Sequence, residues 1–208
     1  MHEEDSAWKE ILQECFEPFL EFFFPLVHRE IDWSREPEWL DKEFESLVRG
    51  VDDRRRIVDK LATVLLRDGT EEWILVHIAV QGGGETTEEF NRRMHRYNFL
   101  IEASHGREAL SLAVLTGRSR SFRPGRFIRR RAGQVQIFKF PVVRLIDYEG
   151  RREELEDSPN PFSTVVLAHL EEPEATTDER RSEVRFSLLR RLYTRGSSRE
   201  NIMRLYRF

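Results

Sequence analysis

Two strand-like runs, Arg56 to Leu66 and Trp73 to Gln81, flank the turn signal Arg67-Asp68-Gly69-Thr70. Asp-Gly between alternating apolar residues is a strong short-range mark of a β-hairpin. A hairpin of this kind needs further strands or helices against its apolar face, so it commits the chain to a covered sheet. Taking Leu66 opposite Glu72 places Asp59 directly opposite Ala79. Ile74, Val76, Ile78 and Val80 then point one way into a core, and His77, Ala79 and Gln81 point toward the face that carries Asp59. A slip of one residue would reverse every one of these assignments.

The rest of the chain supplies the covering layers. Apolar residues recur at helical spacing from Ala7 to Val27, with a break near Pro18 and Pro25, and again from Glu36 to Arg49. Thr86 or Thr87 caps a helix reaching about Ser104, with acids in its first turn. Phe90, Met94, Tyr97, Asn98 and Ile101 mark its inward face. Ala109 to Leu115 reads as a buried strand, and Gln134 to Ile146 as another strand region that Pro141 breaks or places at an edge. Phe162 to Leu170, Glu179 to Tyr193 and the stretch from Ser198 onward read as helices. The expectation is an α/β fold: a mixed central sheet of four or five strands flanked by helices. Residues 1–157 form its core and residues 158–208 a helical C-terminal extension. Apolar residues still arrive at helical spacing at Leu205-Tyr206-Arg207-Phe208, which reads as a truncated sequence.

Composition narrows the setting. No apolar run is long enough to span a bilayer, the start Met1-His2-Glu3-Glu4-Asp5 is too acidic for a signal peptide, and Cys15 is the only cysteine. A reducing cytoplasm is the expected location. Of the 34 basic residues all but four are arginine, and Arg118 to Arg131 holds seven arginines without one acid. The guanidinium fork suits phosphate, so Arg118, Arg120, Arg123, Arg126, Arg129 and Arg130, with Ser119 and Ser121, are candidates for a mobile DNA-contacting loop. A solvated loop, a compositional bias, or surface ion pairs in a heat-adapted protein account for the same residues.

The hairpin carries the chemistry. Opposed side chains across an antiparallel ladder have Cβ atoms about 4.5–5.5 Å apart. Asp59 and a carboxylate at position 79 would therefore share one divalent cation, with the carbonyl of Val80 as a third oxygen ligand. Mg²⁺ (or Mn²⁺) in such a site activates water and stabilises charge on a phosphodiester. Gln81 returns to the same face and would orient the water. His77, His95 and His105 lack metal-ligand spacing, and Gly82-Gly83-Gly84 lacks the lysine of a phosphate loop.

Ile31-Asp32-Trp33-Ser34, Trp39-Leu40-Asp41-Lys42-Glu43, Val58-Asp59-Lys60-Leu61 and His77-Ile78-x-Val80-Gln81 resemble the Rpn-type recombination-promoting nucleases and related transposase-like proteins, within the PD-(D/E)xK nuclease superfamily. The likeness continues through Phe90-x-x-Arg93-Met94-x-x-Tyr97-Asn98, Ser111 to Leu115, Phe140-Pro141-Val142-Val143 and Asn160-Pro161-Phe162. It implies a restriction-endonuclease-like sheet and a metal-dependent DNA endonuclease. The family's His-Ile-Glu-Val-Gln pattern puts its catalytic glutamate on Ala79, its aspartate on Asp59 and its glutamine on Gln81. Glu43 is the candidate for the additional acid that a preceding helix often supplies, with Asp41 next; a solvated helix charge is the competing reading. Arg93 and Tyr97, one helical turn apart, would hold phosphate near the metal or pair with acids and pack.

Glutamate to alanine removes a metal ligand and leaves the fold intact. The pattern residues around position 79 all persist, which favours a deliberate knock-out over natural decay. The resemblance thus implies an inactive variant of a DNA endonuclease. The alternative is a naturally inactive member that binds nucleic acid or a protein. A homodimer is the expected assembly, since duplex cleavage needs two sites. The basic, amphipathic Phe186 to Tyr206 would pack on the core or join a dimer or DNA surface.

Overall fold

The computed structural model describes residues 12–48, 57–79 and 85–171; the side chains of residues 48, 57–59 and 77–79 fall outside that description. The helices expected beyond residue 171 also lie outside the described residues. The chain divides into two compact units, one of residues 30–143 and one uniting the described residues up to 29 with those from 144 on.

The larger unit is built on a mixed sheet. Its strands are β1 (Glu38–Trp39), β2 (Ile57–Leu65), β3 (Glu71–Ala79), β4 (Ala109–Leu115) and β7 (Val142–Arg144), in spatial order β1-β2-β3-β4-β7. β2 runs antiparallel to β1 and β3, while β3 and β4 are parallel. A parallel pair needs a crossover, and helix α4 (Thr87–His105) supplies it. Ile74, Leu75 and Val76 on β3 are all fully buried, so the central strand is covered on both faces and shows no simple alternation.

Helix α3 (Asp41–Val48) and α4 cover the same face of the sheet. Phe44 of α3 and Tyr97 and Ile101 of α4 close over Leu61 and Leu75. Phe90 and Met94 of α4 close over Ala113 and Leu115, with Phe140. Burying side chains of this size stabilises by about 1.5–3 kcal/mol each before entropy is counted. α4 starts where its capping chemistry requires: Thr86 accepts from the Glu89 amide, and the Glu89 carboxylate accepts from the Thr86 amide at 2.8 Å. It ends on Gly106, left-handed at φ 61°.

A second, two-stranded sheet pairs β5 (Arg126–Arg131) with β6 (Gln134–Lys139), and Arg131 pairs with Gln134 across the two-residue turn Ala132-Gly133. Both turn residues have positive φ, 47° and 84°, as a tight primed turn demands. This corrects the expected loop: Arg126, Arg129 and Arg130 lie in a strand.

In the smaller unit, α1 (Phe16–Phe23) buries Phe16, Phe19, Leu20 and Phe23. Phe19 and Phe23 meet Phe162 of α6 (Pro161–Glu171) edge-on at 5.4 and 5.6 Å between ring centroids. Asn160 ties the two helices, donating to the Pro18 carbonyl at 2.9 Å and accepting from the Phe162 amide at 3.0 Å. α1 is separated by Phe24 from α2 (Pro25–Glu30), and α5 (Arg152–Asp157) precedes α6. The N-terminal helix therefore breaks at Cys15 and Phe24, and Pro18 is accommodated in the first turn of α1. No helix among the described residues is long and apolar enough to cross a membrane.

Candidate functional site

The β2–β3 hairpin brings the expected metal positions onto neighbouring strands, in a register two residues from the expected one. Asp59 pairs with His77, and Ala79 pairs with Ile57. The cause is the turn. Leu66 closes on Thr70, its amide donating to the Thr70 carbonyl at 2.7 Å, and Gly69 at φ 87° donates to the Leu66 carbonyl at 2.9 Å. Asp68 accepts from the Thr70 amide at 2.8 Å and from its hydroxyl at 2.6 Å. These bonds hold the Asp68 carboxyl below its usual range. The loop is thus Arg67-Asp68-Gly69, a three-residue connection with glycine in the left-handed position, and each strand pairs two residues sooner than expected. The offset is even, so strand alternation keeps its phase. Val80, Gln81 and Gly82-Gly83-Gly84 lie outside the described residues, as do the side chains of Asp59 and Ala79.

The helix acids separate clearly. Glu43 sits in the first turn of α3 with an exposed side chain. Asp41 is engaged, since its carboxylate binds the ammonium of buried Lys60. Lys60 also lies over the Trp39 ring, 5.3 Å from its centroid. Nothing in the motif Val58-Asp59-Lys60-Leu61 marked Lys60 as a buried cation; its register position opposite Val76 on a covered strand explains the burial.

Arg93 and Tyr97 answer to the packing reading. Arg93 is 7% exposed and bonds both oxygens of Glu85, at 3.0 and 2.7 Å. Its guanidinium also lies over Phe90, 5.1 Å from the ring centroid. Tyr97 is buried edge-on against Phe44, with 5.4 Å between centroids. Neither side chain presents itself to a phosphate backbone.

The other arginines converge elsewhere. An open cleft of about 950 Å³ lies between α4 and the β5–β6 ribbon, lined among others by Arg92, Arg96, Phe99, Arg126, Arg129 and Arg130. His95 anchors the ribbon: its ring stacks on Phe127 at 4.4 Å and meets Phe138 edge-on at 5.6 Å. Gln136 Nε2 lies 2.9 Å from His95 Nε2, an arrangement in which the amide donates to an unprotonated imidazole nitrogen. Burial lowers the His95 pKa and so favours that neutral form. Asn91 fixes the approach to β5 by accepting from the Gly125 amide at 2.8 Å. Arg118, Arg120 and Arg123 lie in the preceding segment, where Arg123 Nε donates to the Arg120 carbonyl at 3.1 Å.

Sequence reading placed β6 within the Gln134 to Ile146 strand region but missed β5 and the part His95 plays in anchoring the ribbon. The available signal was Ala132-Gly133 between two six-residue runs, a spacing that favours a two-residue hairpin turn. Comparison with protein-family models, curated proteins and solved structures returns no match.

Proposed function

We propose that this chain is a nuclease-fold protein of the PD-(D/E)xK type that binds DNA and, with alanine at position 79, does not cut it. The observation that carries this reading is the β2–β3 ladder. It sets Asp59 and Ala79 on adjacent antiparallel strands, two ladder positions apart. Diagonal neighbours of this kind are about 7–8 Å apart between Cα atoms, still within reach of long side chains. A glutamate at position 79 is long enough to meet an aspartate at 59 around one ion. The restriction-endonuclease-like fold belongs to the same proposal.

A divalent cation, Mg²⁺ or Mn²⁺, is the group such a site implies, and the residues present do not complete it. Alanine offers no side-chain ligand at position 79, where the resemblance places a glutamate. Hard oxygen ligands hold these ions, and a methyl group stands where the resemblance places one of them.

The test is Ala79→Glu. That variant should nick supercoiled plasmid with Mg²⁺ or Mn²⁺, whereas the present chain and the double variant Ala79→Glu/Asp59→Asn should not. A folded Ala79→Glu protein that leaves plasmid intact with both metals would overturn the proposal.

A further inference from the structure

We infer that the β5–β6 ribbon is a DNA-binding arm that enters the major groove of a duplex. The inference rests on the reading above only in taking DNA as the ligand. The two faces of the ribbon differ. Phe127, Gln136 and Phe138 meet His95 and anchor one face on α4. The cross-strand pairs Arg126–Lys139, Ile128–Ile137 and Arg130–Val135 form the other. Ile128, Val135 and Ile137 on that face are 41, 56 and 57% exposed. Three exposed β-branched residues bordered by cations are costly in water and call for a covering partner.

Charge identifies the partner. From Arg118 to Lys139 there are seven arginines, one lysine and no acid. None of Arg126, Arg129, Arg130 and Arg131 makes an ion pair with a described carboxylate. Cations crowded on a narrow ribbon repel one another unless a polyanion lies alongside.

Shape selects the duplex. Six-residue strands extend roughly 20 Å, and paired strands lie about 4.8 Å apart. The major groove, about 12 Å wide, admits a two-stranded ribbon. Ile128, Val135 and Ile137 would meet thymine methyls, and Arg126, Arg130 and Lys139 the flanking phosphates.

The experiment measures anisotropy of a labelled 20-base-pair duplex with the full chain in EDTA, across a salt series. The triple variant Arg126→Ala/Arg130→Ala/Lys139→Ala should lose about tenfold or more in affinity, with its log-log salt slope shallower by about 2 to 3. Should that variant misfold by circular dichroism, Arg130→Glu alone, at an exposed strand position, should give a loss in the same direction. Unchanged duplex affinity in the folded variant overturns the inference. So does tighter binding to a single-stranded oligonucleotide, to phosphatidylserine vesicles or to a second copy of the chain. The two proposals fail separately: a cutting Ala79→Glu protein with ribbon-independent binding sinks only this one, and ribbon-dependent binding without cutting sinks only the nuclease reading.

Discussion

Asp59 stands directly across the antiparallel β2–β3 ladder from His77, and Ala79 lies two residues farther along β3. Directly opposed Cα atoms are about 4.5–5.5 Å apart, inside the range a disulfide spans, whereas a diagonal pair at about 7–8 Å is beyond it. The variant Asp59→Cys/His77→Cys should therefore form an intramolecular disulfide on mild oxidation. Asp59→Cys/Ala79→Cys should not. Both are made on a Cys15→Ser background and read by thiol counting and mass spectrometry. The reverse result would restore the register in which position 79 faces Asp59 directly.

That register shows where sequence reading stops. β2, β3 and the Gly69 turn are legible because β-branched residues and Asp-Gly leave local marks, and Ala109–Leu115 because it is a short, almost wholly apolar run. Register depends on which residue closes the loop, and here the Asp68–Thr70 hydrogen bonds decide it. α4 was readable to its cap because Thr86 and Glu89 satisfy each other within one turn. The ribbon was hidden because β5 reads Arg-Phe-Ile-Arg-Arg-Arg, with its anchoring contact coming from His95 on a distant helix. Arg93 was ambiguous for a related reason. A helical arginine fits a phosphate or a carboxylate equally well, and its partner Glu85 lies beyond the helix cap.

The Arg93–Glu85 pair makes its own prediction. Both side chains are largely buried, at 6 and 15% exposure, so removing one charge takes from the other its two-oxygen partner. Glu85→Gln should cost about 3 kcal/mol of stability, seen as a lower urea midpoint with an unchanged m value. The double variant Arg93→Met/Glu85→Leu should recover much of that loss, since an apolar pair leaves no uncompensated charge. Measured under folded conditions, the salt slope of DNA binding should be the same in the double variant as in the parent, because Arg93 is spent on Glu85. A shallower slope would return Arg93 to the phosphate contacts.

The His95 anchor predicts a pH dependence. Burial depresses its folded-state pKa, opposed by Glu102, while in the unfolded chain it titrates at about 6.5. Above that value both states hold a neutral imidazole and the group adds no pH dependence. As pH falls below it, the unfolded chain takes up the proton first, so stability drops until the folded pKa is passed. Protonation also removes the acceptor that Gln136 uses. Ribbon amides in β5 and β6 should exchange faster at pH 5.5 than at pH 7.5, after correction for intrinsic exchange. His95→Phe keeps the stacked ring on Phe127 but has no proton to bind, so its ribbon protection should be lower at neutral pH and flat across the same window. Equal pH dependence in the two proteins would move the titration to another group and leave His95 as packing alone.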